Sequence, residues 1–239
     1  MTEVVLSLVS SRPETPSVRS FMFTSEPPAK WDAGQYLMLR MEAPGDPRGP
    51  SRMFTISASP TEPRVMITTH VVNRSPFKEK LAGLPFGTPL KARVPMGTFG
   101  LHDDATKRAV FLAGGIGITP FRSMIRRATD AGLPQDILLL YSARTPEEIV
   151  FRRDLEILED DNPLFKMVTT ITRMEDSTEH WDGLTGHIDA AFVRKHAGPL
   201  DDAIVYAAGP PASVQGLVDL VAGLGVPNER IRAERFTGY

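Results

Sequence analysis

The chain contains no cysteine. Disulfides, thiolate-ligated metals and iron–sulfur clusters built from its own side chains are thereby excluded. Its five histidines are scattered without metal-ligand spacing, so no metal site is expected. No apolar stretch approaches the length of a membrane-crossing helix, and membrane insertion is not expected. The first residues lack the basic start and cleavage site of a signal peptide, which gives a cytoplasmic location as the expectation. Neither sign of charge dominates: 27 Lys and Arg stand against 29 Asp and Glu, a net charge of −2. That balance gives no reason to expect nucleic acid or a generally membrane-attracted surface. Internal repeats and low-complexity segments are absent, as is any Ser-His-Asp or Cys-His arrangement for nucleophilic catalysis.

A length of 239 residues, 41% of them hydrophobic, allows two compact domains, each with its own core. The pattern divides near residue 105, giving units 1–105 and 106–239. Before it come short strands, near Val4–Ser10, Val18–Thr24, Tyr36–Arg40, Arg52–Ser57, Val65–Val72 and Pro89–Val94. Turn-forming clusters separate them, notably Ala43-Pro44-Gly45-Asp46-Pro47-Arg48-Gly49-Pro50. Many short strands with turn signals predict an antiparallel β-barrel. One helix, from Pro76 to Ala82 behind Ser75, interrupts it. After the boundary the chain alternates strands (109–113, 137–142, 165–171, 203–208, 231–236) with helices (120–131, 147–159, 189–196, 212–223). That rhythm predicts an α/β domain with a parallel sheet covered on both faces and ligands at the carboxyl ends of its strands.

Two segments carry chemistry. The first is Phe111-Leu112-Ala113-Gly114-Gly115-Ile116-Gly117-Ile118-Thr119-Pro120. An apolar strand empties into bare glycines, and Thr119 and Pro120 supply an N-cap and a first-turn proline. Such a turn lets backbone N–H groups approach a diphosphate at a helix N-terminus. By itself it is equally a tight turn without a ligand, because Pro120 holds the place of the third glycine of the usual dinucleotide fingerprint. The second is Arg52-Met53-Phe54-Thr55-Ile56-Ser57. Strand alternation puts Arg52 and Phe54 on one face and Thr55 on the other. A guanidinium suits phosphate, an aromatic ring offers a flat wall, and a hydroxyl can bond a ring nitrogen.

In order and spacing these motifs resemble the ferredoxin–NADP reductase family of flavoproteins. Three more segments match: Val94-Pro95-Met96-Gly97-Thr98-Phe99, Tyr206-Ala207-Ala208-Gly209-Pro210-Pro211 and Glu234-Arg235-Phe236. Departures are Val94 for a glycine, Phe54 for the commoner tyrosine and Ala208 where a cysteine is common. The resemblance implies a non-covalently bound FAD held by Arg52, Phe54, Thr55, Ile56 and Ser57. It also places the backbone of His70, Val71 and Val72 beside the flavin. Ser75 either receives the diphosphate opposite Arg52 or is a plain cap, and Lys78 is read as solvated. Gly114, Gly115, Gly117 and Thr119 would bind the nicotinamide dinucleotide, with Gly209 and Pro210 near the nicotinamide.

Nucleotide choice turns on Ser142 and Arg144. An arginine after this strand accommodates the 2′-phosphate of NADP, so NADPH is favoured, with NADH as the alternative. The competing reading pairs Arg144 with Glu147 or Glu148. The implied chemistry is hydride transfer from nicotinamide to flavin, with Thr55 bonding the flavin N5. Electrons would then pass to a transient partner: a ferredoxin, a flavodoxin or an oxygenase component. Any iron–sulfur centre belongs to that partner, and the reductase is expected to be a monomer. A subunit of a fixed electron-transfer complex and a sensory FAD-binding module stay open as alternatives. Glu234 either orients the nicotinamide or pairs with Arg232 or Arg235, and Tyr239 either stacks on the flavin or is a surface residue.

Overall fold

Val4, Leu6 and Leu8 alternate with more exposed neighbours along the first strand, so one face of that strand must find a core. The computed structural model describes residues 1–72 and 75–236. In it the strands β1 (Thr2–Pro13), β2 (Val18–Glu26), β3 (Tyr36–Arg40), β4 (Ser51–Thr55), β5 (Val65–His70) and β6 (Pro89–Met96) form one antiparallel sheet. Their order is β4-β3-β6-β1-β2-β5. An antiparallel bridge between Ile56 and Ile67, with the Ser57 amide donating to the Met66 carbonyl at 2.8 Å, brings the two edges together. The sheet thus curls around Leu6, Phe21, Phe23, Leu37 and Ile67, all fully buried. Helix α1 (Pro76–Ala82) plugs one end with Phe77 and Leu81.

The second sheet is parallel throughout. Its strands are β7 (Ala109–Gly114), β8 (Ile137–Ala143), β9 (Phe165–Ile171), β10 (Leu184–Thr185), β11 (Ile204–Gly209) and β12 (Ile231–Arg235), in the order β10-β9-β8-β7-β11-β12. Four helices connect them: α2 (Thr119–Ala131), α3 (Arg152–Asp161), α4 (Ala190–Ala197) and α5 (Pro211–Gly223). Val110, Leu112, Leu138 and Val205 face one core; Phe111, Leu139, Tyr141 and Tyr206 face another that runs on into the barrel. Near-continuous apolar strands are what a doubly covered sheet requires. The strand order reverses between β7 and β11, which creates a crevice at their carboxyl ends.

Three expectations need correction. The third helix does not begin at 147: Pro146–Glu148 is a 3₁₀ turn, and Phe151 has φ 62° before α3 starts at Arg152. Burial of Ile149, Val150 and Phe151 outweighs the helical start signal of Thr145 and Pro146. Thr119 is not an N-cap, because the glycine turn is itself a 3₁₀ turn that feeds directly into α2. The Thr119 hydroxyl instead donates back to the Ile116 carbonyl at 3.1 Å. The two-residue strand β10 has no counterpart in the sequence pattern, since a pairing that short has no period to read.

The two sheets are tied together by α2. Arg122, 5% exposed, donates to the Ser57 carbonyl at 3.1 Å, grips both oxygens of Glu62 and reaches Asp154 at 3.1 Å. Next to it, the Ser123 hydroxyl donates to the Ala58 carbonyl at 2.6 Å. Arg12 of β1 meets the same Asp154 oxygen at 2.8 Å. Further along, His102 donates through its amide to the Tyr206 hydroxyl at 3.0 Å and through Nε2 to the Lys107 carbonyl at 2.9 Å. Replacing Arg122 by Met strands two partly exposed carboxylates and one buried carbonyl. The expected loss in urea-denaturation stability is about 1.5–3 kcal/mol; an unchanged midpoint would show that this cluster does not join the sheets.

Candidate functional site

A cleft of about 200 Å³ opens where the barrel faces the carboxyl ends of β7 and β12. Arg52, Phe54 and Thr55 line it from β4, with Ile116 and Thr119 from the glycine turn and Glu234 from β12. Residues singled out in separate segments of the sequence are therefore neighbours in space, although about 180 residues separate Arg52 from Glu234. The sequence reading missed Tyr36, Arg48, Thr68 and Thr69, which also line the walls and carried no motif signal for a cleft; Phe236, in the last matching segment, lines it too without having been given a role. Lys78, expected in solvent, is 7% exposed and lines the cleft, because the short helix that carries it packs into the barrel end.

Arg52 is 4% exposed, and its side chain is held from several directions. Its Nη1 donates to the carbonyls of Arg48, Gly49 and Ser51 at 2.8–3.0 Å, and its Nη2 pairs with Asp46. Nε is buried without a partner among the described residues. Asp46 also accepts from the Arg48 and Phe77 amides, each at 3.0 Å. Burial alone would raise the Asp46 carboxyl, but those two amides and the guanidinium outweigh it and hold it down at about 2. Ser75 caps α1 by accepting the Lys78 amide at 3.3 Å. With the Phe77 amide on Asp46 and the Glu79 amide on the Ser75 carbonyl at 3.0 Å, the first-turn amides of α1 are already engaged. Phe54 is 7% exposed, with its ring 6.2 Å from that of Phe77. Ile56 and Ser57 are fully buried, the Ser57 hydroxyl meeting Thr68 at 2.8 Å. His70 faces the Ser17 hydroxyl at 3.3 Å, the Val71 amide donates to the Ser17 carbonyl at 2.9 Å, and Val72 is exposed.

Across the cleft, glycines serve two different purposes. Gly115 has φ 50° with open space where a side chain would project, so only its backbone conformation demands glycine. At Gly117 a Cβ would lie 2.1 Å from the Ala208 carbonyl oxygen, so this glycine lets the turn press against the end of β11. Gly114 ends β7, and the Tyr141 hydroxyl donates to the Gly115 carbonyl at 3.0 Å to brace the turn. Gly209 ends β11 and accepts the Phe236 amide at 2.9 Å; Pro210 leads into α5. Glu234 is half-buried, and burial pushes its carboxyl up. It has no ion-pair partner among the described residues, since Arg232 bonds the Gly100 carbonyl and Arg235 bonds Gln215. The surface ion pair considered for it is therefore not formed.

Ser142 and Arg144 lie further out along the crevice, at the end of β8. The Ser142 hydroxyl reaches the Ala113 carbonyl at 3.4 Å, and Arg144 is exposed. Glu147 does not pair with it. Its carboxylate instead collects the Ser177 and Thr178 hydroxyls and the Thr178 and Glu179 amides. Arg144 has no side-chain partner among the described residues. The terminal Tyr239, considered for stacking on the flavin, lies outside the described residues.

Comparison with known proteins agrees with this layout. The oxidoreductase NAD-binding domain family matches residues 111–219. Ferredoxin–NADP reductase B of Sorangium cellulosum is 30% identical over 238 residues, covering 96% of both chains. The glycine betaine monooxygenase reductase subunit of Chromohalobacter salexigens is 28% identical over 229 residues; the match takes in 93% of this chain but 61% of that protein. A ferredoxin–NADP reductase from Neisseria gonorrhoeae with bound FAD and NADP shares the fold at a TM-score of 0.80 and 18% identity, over 98% of this chain and 99% of that one. With a curled antiparallel sheet, a parallel sheet behind it and full-length similarity to one such reductase, the chain belongs to the ferredoxin–NADP reductase-like family of FAD-dependent oxidoreductases.

Proposed function

We propose that the chain is a flavoprotein reductase that takes hydride from NADPH, with NADH as a weaker donor, and delivers electrons to a ferredoxin, a flavodoxin or an oxygenase component met transiently. The first unit, residues 1–105, holds FAD, and residues 106–239 bind the nicotinamide nucleotide. The observation that carries the reading is the cleft in which Arg52, Phe54 and Thr55 face Thr119 and Glu234 across the junction of the two sheets. The residues fit the cofactor. The buried Arg52 guanidinium has its Nε unpartnered among the described residues, and the left-handed Gly115 in the turn across the cleft has open space where a Cβ would project.

When bound, FAD accepts the hydride and releases electrons one at a time, so the protein supplies binding, orientation and electrostatics. Arg52 holds the diphosphate, with the Ser75 end of α1 beside it. Phe54 gives the ring system an apolar wall, and the half-buried Thr55 hydroxyl offers a hydrogen bond at N5. Glu234, in no ion pair among the described residues, orients the nicotinamide amide from the far wall. Arg144 takes the 2′-phosphate, a role supported by the engagement of Glu147 elsewhere.

Two measurements test this reading. Arg52→Ala should weaken FAD retention by about 1.5–3 kcal/mol, the usual loss for a charged hydrogen bond; full FAD occupancy, or isolation of FMN in place of FAD, would remove the assignment. Anaerobic titration should bleach the flavin with NADPH at lower concentration than with NADH. In steady state, Arg144→Ala should raise KM for NADPH at least about tenfold and leave NADH nearly unaffected. Equal losses for both nucleotides would make Arg144 structural.

A further inference from the structure

The guanidinium assigned above to the cofactor's diphosphate already holds an anion that belongs to the chain. Asp46 has a fully buried side chain, pairs with Arg52 Nη2 through one oxygen and accepts the Phe77 amide at 3.0 Å through the other. We propose that Asp46 is an internal stand-in for the diphosphate, so that FAD loading exchanges one anion for another on Arg52. The inference rests on the FAD reading of the cleft and adds a step that controls how readily the cofactor enters.

Three physical points support it. A guanidinium that is 4% exposed needs a compensating anion when the cofactor is absent, and Asp46 provides one. A diphosphate brought to the same guanidinium would sit close to that carboxylate in a poorly screened setting, where like charges repel strongly. The carboxylate must then leave or the diphosphate must bind less tightly. Asp46 lies between Gly45 (φ 83°) and Gly49 (φ 72°), both with open space where a Cβ would project, and its departure would open the Asp46 amide bond to the Ala43 carbonyl and the Gly49 amide bond to the Asp46 carbonyl, each 3.1 Å. The base of the loop stays closed by the Met41 amide donating to the Pro50 carbonyl at 2.8 Å. Arg48, on the same loop, also lines the cleft and gives its carbonyl to Arg52.

The test is fluorescence titration of cofactor-free protein with FAD, together with thermal midpoints with and without FAD. Asp46→Asn keeps the shape and loses the charge; Asp46→Ser serves as a second variant should the first fold poorly. Both should bind FAD about tenfold or more tightly, because the blocked state no longer competes. Their cofactor-free midpoints should fall, since Arg52 loses its counter-ion, whereas the FAD-bound midpoints should not. In an Arg52→Ala background, Asp46→Asn should leave FAD affinity unchanged. If Arg52→Ala weakens FAD binding but the Asp46 variants weaken it too, or leave it unaltered, Asp46 merely positions Arg52 and the exchange is overturned. If Arg52→Ala has no effect on FAD, the siting of the diphosphate itself fails, and the exchange falls with it.

Discussion

Arg122 is the cation on which the relation between the two sheets depends. It rises from α2, the helix that follows the glycine turn, and closes on the barrel segment from Ser57 to Glu62. Because α2 and the turn are continuous, fixing the helix also fixes where the turn meets the barrel. Asp154 shares the load between Arg122 and Arg12; burial pushes its carboxyl up, and the two guanidinium groups outweigh that and keep it ionised. A charged cluster at such a junction adds modestly to stability but strongly to register, since a displaced partner would leave a buried charge unmatched.

The apolar core makes the same connection less selectively. Phe99, at the end of the barrel, packs against Phe121 of α2 and Tyr206 of β11, with ring centroids 6.0 and 5.8 Å apart. Gly34 exists for this contact: a Cβ there would strike the Met124 side chain and the Phe99 carbonyl. Close packing of this kind holds the cleft walls at a set spacing, which is the protein's main contribution when the redox chemistry belongs to cofactors. The cleft walls are charged: Arg48, Arg52 and Lys78 stand on the barrel side, and the half-buried Glu234 and its neighbour Arg235 stand opposite.

Much of the fold was legible in the residues. Helix α1 spans the predicted Pro76–Ala82, and β3 and β9 match their predicted bounds, because Pro, Gly and Asp punctuate strongly periodic segments there. The start of the third helix was not legible, because Ile149, Val150 and Phe151 follow the cap signal as a buried run, and burial overrides local propensity. The place of Lys78 was hidden for a related reason. A lysine on a seven-residue helix reads as solvated until the helix is seen to seal a barrel end.

The sequence by itself determined the two sheet types, the glycine turn and the arginine strand, since each follows from local period, turn chemistry and backbone freedom. Only the tertiary structure decided what those residues meet. Gly117 is needed because the Ala208 carbonyl presses against it, Glu147 is diverted to the loop at 177–179, and Asp46 claims Arg52. Each of these contacts joins groups that no local pattern links, and strand order and loop packing, not spacing in the chain, bring them within reach.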